Sequence, residues 1–263
     1  MDIFVGNFEK FLLIFARIAG FLFTATFFNS DSFIDEARLG LCFLISLLLF
    51  DSVNKLVPAI PNSFIEYALI AAGATIIGVA LGFIIAIYFS IYQLAGQFFT
   101  VQMGLGMSEV FDPMTQESLP IIGQFVYIIG ILIFLALRGP ILAIEELYHS
   151  FELINFDKFI NASNGNFITS KYGLISTFSA MFLIALKISI PIIGTLLLVS
   201  ISMGLLSKAA PQMNLLMVGF PISITVSFLL ILALIPSIIT FVYDYVDLIF
   251  KNIQQLLMEI GNG

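Results

Sequence analysis

The sequence predicts an all-α membrane protein, and three observations carry that prediction. Hydrophobic residues make up 60% of the 263 residues and charged residues 10%, against roughly 45–50% and 25% in soluble domains. No charge occurs between Tyr67 and Ser108. No run alternates apolar and polar residues in the manner of a membrane β-strand. The mean hydropathy of +1.11 agrees.

The elements follow from the charge-free runs, because a charge at the bilayer centre costs about 2.5–3.5 kcal/mol and a span needs roughly 20 apolar residues. The first run covers residues 7–28 and encloses Arg17. Asp2 and Glu9 stand where a secretory leader is basic, so this helix is expected to be retained. The second run, 39–57, follows Asp35-Glu36-Ala37-Arg38 and stops before Pro58 and Pro61. The third, 67–108, would measure about 63 Å as one straight helix. A bend or interruption is expected near Gly96, and an end around Gly104–Gly106.

A polar break with Glu109, Asp112 and Glu117 follows. The next span is 121–137, closed by Arg138-Gly139-Pro140, with a short amphipathic piece at 141–153 and an Asn-rich loop from Asn155 to Asn166. Residues 172–207 are apolar except for Lys187, and Pro191 should kink them. A turn from Lys208 to Asn214 leads to a last span at 215–242. The expected fold is therefore about six apolar kinked helices plus a C-terminal amphipathic helix. In that tail Val246, Ile249, Phe250, Ile253, Leu256, Leu257 and Ile260 recur at helical spacing. Its apolar face is expected on a membrane surface or on a partner.

The net charge of −7, with no cluster of Lys and Arg, excludes a nucleic-acid partner. Cys42 is the only cysteine and reads as a buried packing residue. The charges do not specify simple crossings. Acids at 109–120 suggest the outer side, and Arg138, Lys158 and Lys171 the cytoplasm; a single crossing by 172–207 then puts Lys208 outside, against the positive-inside rule.

Catalytic constellations are missing. Glu146 and His149 have the Glu-x-x-His spacing of di-iron bundles, which need a second histidine, and His149 is the only one. Gly104-Leu105-Gly106 lacks the third glycine of a dinucleotide fingerprint, since Glu109 stands there. Asn161-Ala162-Ser163 reads as a polar turn. No enzyme activity, metal or cofactor is expected. Three features stand out: Arg17 and Lys187 inside apolar helices, where charges face a bundle interior or an aqueous path, and the 104–120 loop. Backbone of that kind is tolerated at membrane depth only within protein or along a cavity, so the loop is either an outside connection or a re-entrant plug.

At this loop the sequence resembles a known family. Leu94-Ala95-Gly96-Gln97-Phe98-Phe99-Thr100-Val101-Gln102-Met103-Gly104-Leu105-Gly106, followed by Phe111-Asp112-Pro113, is similar to the signature of the FliR family of flagellar export-gate proteins. Gly204-Leu205-Leu206-Ser207-Lys208-Ala209-Ala210-Pro211-Gln212-Met213-Asn214, with Val218-Gly219-Phe220-Pro221, resembles that family's second signature. Arg38-Leu39-Gly40 and Leu135-Ala136-Leu137-Arg138-Gly139 extend the likeness along nearly the whole chain. Departures are Lys187, where the family usually has an apolar or small residue, and Gln97-Phe98, where Glu often precedes the aromatic.

The resemblance implies a helical-hairpin export-gate architecture with a FliP-like part at 1–171, a FliQ-like hairpin at 172–243 and a tail at 244–263. It implies FliP-like, FliQ-like and FlhB-like partners, unfolded flagellar proteins as cargo, and a place in the bacterial inner membrane at the flagellar basal body. It assigns a pore plug to the loop carrying Gly104, Gly106, Met107, Phe111, Asp112, Pro113, Met114 and Pro120, and a partner-facing turn to Lys208, Pro211, Gln212 and Asn214. Met107, Phe111 and Met114 suit a deformable apolar seal. Two alternatives stay open: an injectisome-type gate subunit, whose matching stretch tends to read Asp-x-x-Arg-Gly where this chain has Val101-Gln102-Met103-Gly104-Leu105, and a stand-alone secondary transporter, for which no inverted repeat is visible.

Overall fold

A computed structural model describes residues 2–28, 34–57, 63–104, 121–154, 170–210, 212 and 215–262. The described residues form seven α-helices and no strand: α1 (Asp2–Thr24), α2 (Asp35–Val53), α3 (Phe64–Met103), α4 (Ile121–Ala136), α5 (Gly139–Leu153), α6 (Leu174–Ala209) and α7 (Leu215–Asn262). Three of them, α3, α6 and α7, are long and apolar enough to cross a membrane, or four spans exist if α4 and α5 together make one bent span. The chain is an all-α membrane protein.

Contacts divide it into two compact units, each drawn from separated stretches. The first comprises 1–88, 135–179 and 246–263; the second comprises 89–134 and 180–245.

In the first unit α1 packs along α2, with Phe11 edge-on to Phe43 at 5.4 Å between ring centroids and tilted against Phe50 at 6.0 Å. Arg38 ties the turn between these helices. Its Nε donates to the Phe28 carbonyl at 3.1 Å, its Nη1 to Asp35 at 3.1 Å, and its guanidinium lies over Phe23. Cys42 is fully buried in α2. The crossing of α1 on α3 depends on glycines. A Cβ at Gly78 or Gly82 would fall on the carbonyl oxygens of Arg17 or Phe21, and one at Gly20 would meet that of Thr75. Gly78 and Gly82 have the small-xxx-small spacing that lets membrane helices approach backbone to backbone.

The tail is not a free amphipathic helix. It continues α7 without a break, and Val246, Phe250, Ile253, Leu256, Leu257 and Ile260 are all buried in the first unit. The expectation of a membrane surface or a partner under that face is corrected: the chain covers it itself. The sequence pattern records a buried stripe without saying what buries it.

In the second unit α3 runs continuously from Phe64 to Met103, so of the bend or interruption expected near Gly96 the interruption is corrected. Gly96 instead lets another helix come close: a Cβ there would fall on the Gly123 backbone of α4. The Tyr92 ring covers Gly130 in the same way, and Phe89 meets Tyr127 and Phe134 edge-on at 6.0 and 5.1 Å. The prolines inside α6 and α7, Pro191, Pro221 and Pro236, each have a threonine four residues on. The hydroxyls of Thr195, Thr225 and Thr240 donate to the three proline carbonyls at 2.8, 2.7 and 3.1 Å. Each hydroxyl is thereby satisfied within its own helix, in the back-bonded geometry that bends helices.

Candidate functional site

The site begins where α3 ends. Gly104 takes φ +79, a left-handed conformation that glycine adopts without penalty, and its N–H donates to the Val101 carbonyl at 3.2 Å. A helix that stops this way turns its chain sharply. Against Gly104 lies the ring of Phe220 from α7, with Cδ1 and Cε1 where a side chain at 104 would project. The two sequence signatures, remote in the chain, thus meet in the second unit. Phe220 belongs to the second signature but is not among the site residues that the resemblance assigns. The available signal was its place between Gly219 and Pro221, a flexible and a rigid residue flanking an aromatic.

The other end of the loop returns at α4, whose first turns hold the Gly96–Gly123 crossing. Gly96 stands eight residues before Gly104, about 12 Å along the helix. Both flanks of the loop are therefore fixed to each other through backbone. Gly106, Met107, Phe111, Asp112, Pro113, Met114 and Pro120 lie outside the described residues.

Of the expected partner-facing turn, Lys208 is exposed in the last turn of α6 and Gln212 is exposed beyond it, while Pro211 and Asn214 lie outside the described residues.

The two charges singled out inside apolar helices differ sharply. Arg17 is 0% exposed. Its Nη1 donates to the Ser150 carbonyl at 2.8 Å, and both terminal nitrogens reach the Ile154 carbonyl, at 3.4 and 3.3 Å. The Phe151 ring lies 4.5 Å below the guanidinium. Arg17 thus caps the C-terminal end of α5, where the last carbonyls and the helix dipole favour a cation. Lys187 is exposed on α6, beside the exposed Leu183, Leu186 and Ile190.

Glu146 and His149 do not act together. The Glu146 side chain accepts a hydrogen bond from Gln254 Nε2 at 2.7 Å, while His149 lies 3.1 Å from the exposed Glu152. Among the described residues no group of three or more His, Cys, Asp or Glu could hold a metal ion.

A family described as "Bacterial export proteins, family 1" matches residues 8–249. This chain belongs to that family. Among its relatives is the flagellar biosynthetic protein FliR of Bacillus subtilis (strain 168), 31% identical over 262 residues and covering 99% of each chain. The protein of the same name from Aquifex aeolicus (strain VF5) is 30% identical over 249 residues, 94% of this chain and 93% of its own. That of Escherichia coli (strain K12) is 28% identical over 249 residues, 93% and 91% of the two chains. In each case the similarity runs over more than nine-tenths of both chains.

Proposed function

We propose that this export-family protein is a subunit of the flagellar type III export gate in the bacterial inner membrane, assembled with FliP-like and FliQ-like subunits and contacted by an FlhB-like protein near Lys208 and Gln212. The observation that carries the reading is the near-complete match to flagellar biosynthetic relatives. In this reading residues 106–118 plug the channel through which unfolded flagellar proteins leave. Support comes from the loop's composition and from its flanks. Met107, Phe111 and Met114 offer deformable apolar contact, an apolar constriction resists ions by dewetting, and α3 and α4 hold the loop's two ends on one glycine crossing.

The test is co-expression of the three gate subunits. This chain should co-purify with the FliP-like and FliQ-like proteins, and deleting 106–118 should raise small-ion leak through the assembled gate. A chain that purifies alone and binds a small solute would overturn the gate reading. A deletion that leaves leak unchanged would overturn the plug.

A further inference from the structure

The contact between Gly104 and Phe220 demands glycine twice over. A side chain at 104 would be strained by φ +79, and it would also collide with the Phe220 ring. Phe220 is followed by a rigid residue: Pro221 lies inside α7, with a fixed φ, and the Thr225 hydroxyl donates to the Pro221 carbonyl at 2.7 Å. Both residues are half-buried, so the ring packs on the glycine without being lost in the core. On the far side α3 is pinned eight residues earlier, at the Gly96–Gly123 crossing. The last two turns of α3 are therefore gripped between α4 and α7.

We infer that Phe220 is a positioning residue of the gate: its ring on Gly104 fixes where α3 stops and the direction in which the chain leaves it. The inference rests on the plug reading for its functional consequence, but not for the contact itself. Through this latch α7, which carries two internal prolines, is linked to the root of the loop. Any displacement of the first turns of α7 would release the end of α3.

Two measurements separate the latch from the plug. With p-benzoylphenylalanine in place of Phe220 in the full-length, co-expressed complex, ultraviolet crosslinking should join position 220 to the peptide containing Gly104. Capture confined to other peptides overturns the contact. In the assembled gate, Phe220→Ala should then raise small-ion leak about tenfold, the effect of about 1.4 kcal/mol, with co-purification unchanged. Phe220→Leu should lie between it and the unaltered chain, because leucine still covers part of the glycine. If deletion of 106–118 leaks while Phe220→Ala and Phe220→Leu stay sealed, the latch is wrong and the plug survives. If the deletion stays sealed, the plug fails and the crosslink alone decides the contact. Loss of co-purification in both Phe220 variants would assign the ring to folding and overturn the positioning role.

Discussion

Hydroxyls in both units bond back along their own helices, but the first unit adds polar bonds that join remote parts of the chain, whereas α6 and α7 rely mostly on the local kind. Arg17 binds carbonyls in α5, Gln254 binds Glu146, and the Tyr67 hydroxyl donates to the Glu9 carbonyl at 3.0 Å. Thr195, Ser202, Thr225 and Thr240 all bond four residues back. Burial also differs from helix to helix. The most apolar window of α3 is 56% buried inside the chain, that of α6 33% and that of α7 only 17%. The first unit is tied together by its own sequence. In α6 and α7 most hydroxyls bond within their own helix, and the exposed apolar faces remain for lipid or for other subunits.

The sharpest way to break this contrast is at the glycines. Gly96→Val places a side chain on the Gly123 backbone, which no rotamer change can relieve. Overpacking commonly costs about 1–3 kcal/mol, and backbone against backbone should reach or exceed the top of that range. The chain should fail to accumulate as a folded species in detergent extracts, as judged by size-exclusion profile. A normal yield would mean that α3 and α4 do not cross there.

Next in size is Arg17→Ala. It removes charged hydrogen bonds to the Ser150 and Ile154 carbonyls and the packing on Phe151. The expected loss is about 3 kcal/mol, from the lost charged hydrogen bonds and the cavity left behind, read as a lowered unfolding midpoint. Arg17→Lys should recover only part of it, since an ammonium on a single stem cannot match the planar fork. Full recovery with lysine would reduce the cap to a point charge.

The smallest effect belongs to the second unit. A Cβ at Gly194 or Gly204 of α6 would meet nothing within 4 Å. In the isolated chain each change to alanine should be neutral or stabilise by up to about 1 kcal/mol, through helix propensity. In the co-expressed complex the same changes should lower recovery of the partners, if those glycines are where other helices seat. Equal behaviour in both settings would show that the α6 face meets only lipid.

Much of this fold was legible in the sequence, because bilayer-length apolar runs announce themselves: all seven helices fall on expected segments, and Cys42 is buried as expected. What escaped has a common physical cause. A glycine looks the same in sequence whether it bends or breaks a helix or admits a neighbour, so Gly96 reads as a bend or interruption when it serves a crossing. Arg17 announces that it needs acceptors, but backbone carbonyls carry no residue type by which to find them. The site was half legible. Both signatures could be read, yet their meeting at Gly104 and Phe220 is tertiary and has no local pattern.

The interleaving of the units has a consequence for biosynthesis. Residues 1–88 are made first, but their unit also takes in 135–179 and 246–263, and Val246, Phe250, Ile253, Leu256 and Leu257 close its core. That unit must wait, incomplete, while the ribosome makes everything between. A nascent chain arrested before residue 246 holds its oldest helices beside an unfilled apolar seat. Such a product exposes apolar surface that the full-length chain buries, so the N-terminal fold is completed only by the last residues made.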